Sequence, residues 1–241
     1  MGRTMMFDGT PTIIGHRGCG TGPEENTLES LLGAVELGLS WVEVDVQRTA
    51  DDSLVVRHDF TSEDGSFLID GPGEGLLRIE EVFEALPEHV GVDVDVKTVL
   101  EDALDPRTGP LLEGILRAEA RRRPLMVTSF DPALLLALAG TGIPRGLLTW
   151  LWFPIGHAVA TAAGLDLQAV ALHTASCDPN PKQRPFADCV DTAHKAGLEV
   201  IVWCPKPEDL HKYAAADALI VDDVPATLAA LEAKVAGSAA T

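Results

Sequence analysis

The chain has 241 residues, of which 46% are hydrophobic and 23% charged, a globular balance rather than a disordered one. At this length folding buries about 70% or more of the unfolded surface, so stability requires neither a disulfide nor a structural metal. Acidic residues outnumber basic ones 37 to 18, and the net charge of −19 argues against nucleic acid or an anionic membrane as partner, since both need clustered Lys and Arg.

A phosphate-bearing substrate would meet a repulsive field here unless a local cation offset it. The four cysteines (Cys19, Cys177, Cys189, Cys204) fit no CxxC or Cys/His zinc spacing. The start, MGRTMMFDGTPT, lacks the apolar core of a secretory signal, and no apolar run approaches the ~18 residues of a membrane helix. The expectation is a reduced, cytoplasmic protein without stable membrane association.

In chain order, short β-branched runs alternate with segments of helical period. Strands are predicted at 12–18, 41–47, 90–97, 125–130, 145–151, 168–174, 199–204 and 218–223. Helices are predicted at 26–38, 79–87, 110–123, 131–140, 155–164, 186–197, 207–216 and 226–237, most of them ended by Gly or Pro. One stretch breaks the pattern: LVVRHDF (54–60) reads as an extra short strand, followed by a Gly-rich loop over 61–75. Eight strand–helix units in a chain of this size suit a single-domain (β/α)8 TIM barrel over 1–241, with 1–11 and 237–241 expected to be flexible. An open doubly wound sheet is the alternative, weakened by the lack of a GxGxxG or GxxxxGK[ST] loop after the first strand.

The chemical signal lies in charges on strands. Residues two apart on a strand share a face, so Glu43 and Asp45 point one way, and Asp93, Asp95 and Lys97 do likewise. Buried unpaired charge costs several kcal/mol, so such groups must be paired, hold a metal or sit at a solvated rim. In a barrel the rim that carries chemistry is the carboxyl end of the strands. Glu43, Asp45 and Asp95 are read as ligands of a hard divalent cation, Mg²⁺ or Ca²⁺. Asp93 sits a layer deeper, as support, and Lys97 offers a positive charge to a phosphate oxygen. His16 and His58 each end a strand, so both can face one mouth as an acid–base pair. Arg17 brings a planar fork suited to phosphate. Asn26–Thr27 opens a helix, and Glu25 either contacts a histidine or faces water.

These residues, in order, read HRG (16–18), PEENT (23–27), EVD (43–45), VVRHD (55–59), DVK (95–97), SFDP (129–132), VIVW (200–203) and IVDDVP (220–225). Together they resemble the glycerophosphodiester phosphodiesterase family, along nearly the whole chain. The resemblance implies a TIM barrel that hydrolyses a small glycerophosphodiester to glycerol 3-phosphate and an alcohol, with a divalent metal. It implies His16 and His58 as the acid–base pair, Arg17 and Lys97 as phosphate contacts, Glu43 and Asp45 as metal ligands, and Trp203 packed on the glycerol. Glu25, Asn26 and Asp93 would then stand behind the contact residues. Four departures stand out: Asp95 where the family has Glu, an extra Glu before Asn26, a shortened insertion after the HD motif, and Cys204–Pro205 after Trp203. A lysophospholipase-D-like activity and a non-catalytic ligand-binding relative are the alternatives.

Overall fold

The computed structural model describes residues 6–7, 11–20, 24–178 and 184–238, except for the side chains of 235–238. Among these residues nine strands form in chain order: β1 (Thr12–Gly15), β2 (Trp41–Arg48), β3 (Leu54–Val56), β4 (Gly91–Val96), β5 (Leu125–Ser129), β6 (Arg145–Leu148), β7 (Ala169–His173), β8 (Glu199–Trp203) and β9 (Ala218–Val221). Eight of them are parallel, in the order β1-β9-β8-β7-β6-β5-β4-β2, and a β1–β2 pairing closes the ring. The short β3 is the extra strand, laid antiparallel on β2 with Val46 opposite Val56. The barrel is therefore the expected (β/α)8 fold rather than the open sheet.

Alternation along β2 and β4 explains both cores. Val42, Val44, Val46, Val92, Val94 and Val96 point outward and join the layer between strands and helices. The intervening residues point inward. Near the amino ends of the strands the interior is apolar, built from Ile14, Trp41, Met126, Ala169, Ile201 and Ala218. Toward the carboxyl ends it becomes Glu43, Asp45, Asp93 and Asp95, all buried. The strand register places Glu43 beside Asp93 and Asp45 beside Asp95.

The helices are α1 (Leu28–Glu36), α2 (Ile79–Ala85), α3 (Leu100–Leu104), α4 (Thr108–Glu119), α5 (Pro132–Ala137), α6 (Ile155–Gly164), α7 (Thr174–Cys177), α8 (Phe186–Lys195) and α9 (Val224–Ser238). Short α3 and α7 carry no periodic signal, and the sequence reading lacks them. Helix α1 starts two residues later than expected because Thr27 is its cap, accepting from the Ser30 N–H, while Asn26 is left-handed (φ 55°). The segment expected as a helix over 207–216 is a 3₁₀ turn, Pro207–Tyr213, which sets buried Leu210 and Tyr213 three apart on one side.

Within 1–11, expected to be flexible, Met6 and Phe7 are held. Their N–H groups donate to the Glu199 carboxylate at 2.9 Å, and Phe7 meets the Trp41 ring edge-on at 5.3 Å. At the other end, 237 and 238 belong to α9. Residues 1–5, 8–10 and 239–241 lie outside the described residues.

Candidate active site

The sharp turn after β1 depends on Gly18. Its φ is +107°, and a Cβ there would sit 2.3 Å from the Ser30 hydroxyl, so only glycine lets the turn lie against α1. The turn sets Arg17 in a left-handed conformation (φ 53°), and Asn26 and Cys204 share that unfavourable region at 55° and 57°. Three non-glycine residues of strained backbone thus meet at this rim, as functional sites commonly show, while Asp52 and Asp166 adopt the same region elsewhere.

Oxygen atoms of Glu43, Asp45 and Asp95 converge within 4.8 Å of one another. Arg17 braces two of them: its backbone N–H donates to Glu43 at 2.9 Å, and its guanidinium pairs with Asp45 at 2.9 Å. Glu25 in turn accepts from the Arg17 guanidinium at 2.7 Å, so it serves this arginine rather than a histidine. Asn26 donates to the Asp45 carboxylate at 2.8 Å and accepts from the Asp45 N–H at 3.2 Å. Its side chain holds a carboxylate, while the capping falls to Thr27. Lys97 does not stand free at the mouth. Its ammonium lies 2.8 Å from Asp45 and 2.5 Å from Asp95, only 11% exposed. Asp93 lies deeper, takes a hydrogen bond from Thr128 at 3.0 Å and is fully buried.

Three acids against so few cations leave a surplus of negative charge. Burial, then Asp45 and Asp95, push Glu43 well above the usual carboxylate range. Burial also drives Asp93 well above that range, with Asp95 adding to it. Asp95 is pushed up to about 6, mainly by burial and against the pull of Lys97. Asp45 goes the other way: despite burial, Lys97 and Arg17 hold it below its usual value. Glu43 Oε1 and Asp95 Oδ1 are buried without a hydrogen-bond partner among the described residues. Such atoms carry a desolvation cost that a cation would remove. The cluster therefore fits a hard divalent ion by its donors, its convergence and its unsatisfied oxygens.

The histidines stand above the cluster. His16 Nδ1 meets Asp222 at 2.5 Å, and its Nε2 lies 3.8 Å from Glu43. Asp222 fixes the ring's orientation and favours a proton on Nδ1, leaving Nε2 toward the cavity. His58 Nδ1 pairs with Asp59 at 2.9 Å at a more exposed place. Both rings line one cavity of about 650 Å³, together with Arg17, Glu43, Asp95 and Lys97. Of the other histidines, His173 caps α7 through the Ala175 N–H and His194 pairs with Asp217.

The cavity's upper wall is aromatic. Phe130 stacks on Trp150 at 4.3 Å, Trp203 meets Phe130 edge-on at 6.1 Å, and Phe60 faces the same space. The Trp203 indole N–H is buried without a partner among the described residues. Sequence reasoning passed over Asp222, Cys204, Phe60, Phe130 and Trp150. The signal for Asp222 was present, an acid ending an apolar strand in ALIVDD (218–223) just as Asp45 and Asp95 do. The aromatics fall at the ends of predicted strands, and in the structure those strands stop earlier, at Val56, Ser129 and Leu148, leaving the rings on loops.

Residues 16–66 match the model of the Glycerophosphoryl diester phosphodiesterase family. A glycerophosphodiester phosphodiesterase of Caldanaerobacter subterraneus subsp. tengcongensis is 27% identical, over 90% of this chain and 95% of that protein. A glycerophosphocholine phosphodiesterase of Candida albicans is 51% identical over 57 residues, 20% of this chain and 5% of that protein. Among solved structures, a Thermotoga maritima glycerophosphodiester phosphodiesterase aligns with a TM-score of 0.72 and 22% identity, over 93% of this chain and 98% of that one. An Oleispira antarctica phosphodiesterase in complex with the product sn-glycerol-3-phosphate aligns at 0.77 and 22%, over 92% and 97%. These two likenesses establish the fold. The family match spans His16, Arg17, Glu43, Asp45 and His58, and with the near full-length relative it shows the chain to be similar to glycerophosphodiester phosphodiesterases, which are phosphoric diester hydrolases.

Proposed function

We propose that the chain hydrolyses glycerophosphodiesters to glycerol 3-phosphate and an alcohol, using a divalent cation and the His16–His58 pair. The observation that carries this reading is the convergence of three buried carboxylates, two with unsatisfied oxygens, beneath the Asp222-oriented His16. Glu43, Asp45 and Asp95 would hold Mg²⁺ or Ca²⁺. Bound there, the ion would neutralise charge on the phosphoryl oxygens. Arg17 and Lys97 add fixed positive charge beside it, already oriented by their carboxylate partners. One histidine takes the proton of the attacking oxygen, and the other gives a proton to the departing alkoxide. The attacker is water or the glycerol hydroxyl next to the phosphate, the second giving a cyclic phosphate first. The buried Trp203 N–H and ring face offer a donor and a packing surface for the glycerol. The Oleispira antarctica relative with its bound product supports glycerol 3-phosphate as the retained half.

The assay is release of glycerol 3-phosphate from glycerophosphocholine with added Mg²⁺ or Ca²⁺. Activity is expected to vanish with EDTA and to fall about 10²- to 10⁴-fold in His16→Ala and His58→Ala. EDTA-resistant turnover would reject the metal role, and unchanged turnover in either variant would reject the pair. Phosphorus NMR during turnover separates the two attack routes.

A second reading draws support from the aromatic wall. Trp150, Leu151 and Trp152 are 64%, 42% and 75% exposed, and Trp150 also lines the cavity. That surface suits an apolar leaving group, as in a lysophospholipid. Turnover of lysophosphatidylcholine above that of glycerophosphocholine would establish it.

A further inference from the structure

Besides the carboxylate cluster, the fold brings together a second group of metal-ligating atoms. His16, Cys204 and Asp222 each place one donor within 4.8 Å of the others. They come from the ends of β1, β8 and β9, so their separation in sequence hides any zinc-like spacing. The Cys204 thiol lies 3.5 Å from Asp222 Oδ1, and the same oxygen is 2.5 Å from His16 Nδ1. All three residues are partly exposed, and His16 and Cys204 line the cavity, so an ion has a path to them. One imidazole nitrogen, one sulfur and one carboxylate oxygen form a mixed set that suits Zn²⁺ and is wrong for Mg²⁺ or Ca²⁺. The backbone enforces the arrangement: Cys204 is left-handed at φ 57°, and its N–H donates to the Ile220 carbonyl at 2.9 Å.

We propose that His16, Cys204 and Asp222 form an inhibitory zinc site, distinct in ligand chemistry from the carboxylate cluster. Binding forms Zn–S and Zn–Nδ1 bonds, breaks the Cys204 S–H and His16 Nδ1–H bonds, and leaves the neutral imidazole protonated on Nε2. The thiol proton leaves to solvent, the imidazole proton moves to Nε2 through solvent, and no electrons are transferred. Burial and the Asp222 charge push the free thiol up to about 12, so without a soft cation it stays protonated and unreactive. The negative field that disfavours a bare thiolate is the field that attracts a cation. Zinc on Nδ1 removes the Asp222 hydrogen bond from His16 and draws electron density from the ring. Nε2 then has neither the orientation nor the basicity for proton transfer. Ion capture rests on the geometry of the three side chains, whereas inhibition rests on the role of His16 proposed above.

Cobalt(II) is the probe, because a thiolate ligand gives it a near-ultraviolet charge-transfer band. The metal-free full chain is titrated with Co²⁺ in excess Mg²⁺, which occupies the carboxylate cluster. One equivalent is expected to develop the band, and Zn²⁺ to abolish it. Cys204→Ser and Cys204→Thr should lose the band, while Cys19→Ser, Cys177→Ser and Glu43→Gln retain it. Hydrolysis by the wild type should be inhibited by Zn²⁺, with the half-inhibitory concentration about tenfold or more higher in Cys204→Ser. Absence of the band in the wild type, or its persistence in both Cys204 variants, overturns the site. Equal zinc sensitivity of wild type and Cys204→Ser overturns the inhibition. Because the band needs no turnover, an inactive protein that still shows it refutes the hydrolytic reading and not this one.

Discussion

At the amino ends of the barrel strands, Glu199 accepts N–H groups from both Met6 and Phe7, Asp217 pairs with His194 and takes the Val200 N–H, and Arg145 donates to two carbonyls. At the carboxyl ends, Glu43 and Asp95 keep oxygens without partners, and Arg17, Asn26 and Cys204 hold unfavourable backbone. Both ends bury charge, but only the first satisfies it within the chain. Interior charge that is fully matched holds a structure together, whereas interior charge left unmatched reserves a place for something from outside.

Substitutions at the two ends should therefore fail in different currencies. Glu43→Gln is expected to reduce turnover by about 10³-fold or more, through loss of the cation's transition-state role, while the metal-free protein keeps or gains thermal stability. An equal loss of stability in the metal-free variant would break the contrast. Trp41→Ala, at the other end, removes the ring that covers Phe7 and lies against Gly91, and should cost about 3–5 kcal/mol in denaturant unfolding. Its turnover per folded molecule should stay near wild type. Asp222→Asn releases the His16 tautomer and is expected to lower turnover by about 10²-fold, with little change in metal-induced stabilisation.

The pH response sharpens the same contrast. Asp95 in the folded, metal-free protein titrates at about 6, above its ordinary 3.8, so folding favours its protonated form. Stability of the metal-free protein should fall as pH rises from about 4 through 6, because deprotonation then opposes the fold. Metal binding needs the charged form, so the increase in melting temperature on adding Ca²⁺ should shrink as pH drops through 6. The smallest expected effect is Glu199→Gln, about 1 kcal/mol, since the amide oxygen still accepts from the Met6–Phe7 segment. Scanning calorimetry with and without metal covers both.

Much of this was readable from alternation alone. Val-flanked acids on β2 and β4 declare which face carries charge, and the register of a parallel barrel brings those faces together without further information. Asn26 behaved differently, since Asn-Thr ahead of an apolar helical period reads as a helix start. Only the three-dimensional turn reveals that its amide faces Asp45 and leaves the cap to Thr27. Sequence shows the face of Lys97 but not its reach: the residue lines the cavity, and its flexible four-carbon stem also brings the ammonium onto Asp45 and Asp95. Asp222 and Cys204 were invisible as partners of His16, because closing the barrel is what makes residues 16, 204 and 222 neighbours. The aromatic wall escaped notice because Phe60, Phe130 and Trp150 fall at the ends of predicted strands that the structure closes earlier, at Val56, Ser129 and Leu148, which turns the three rings out onto the loops around the cavity.

The join between the first and second strands has only two register pairs, Ile14 with Trp41 and Gly15 with Val42, the shortest junction in the ring. Directly above it, Arg17 from one side grips Glu43 and Asp45 from the other. A divalent ion seated on those acids would act as a rivet over this seam, making occupancy and ring closure a single event. Chelation should accordingly loosen β1 against β2 first, with amide exchange at Ile14 and Val42 rising ahead of the rest of the barrel.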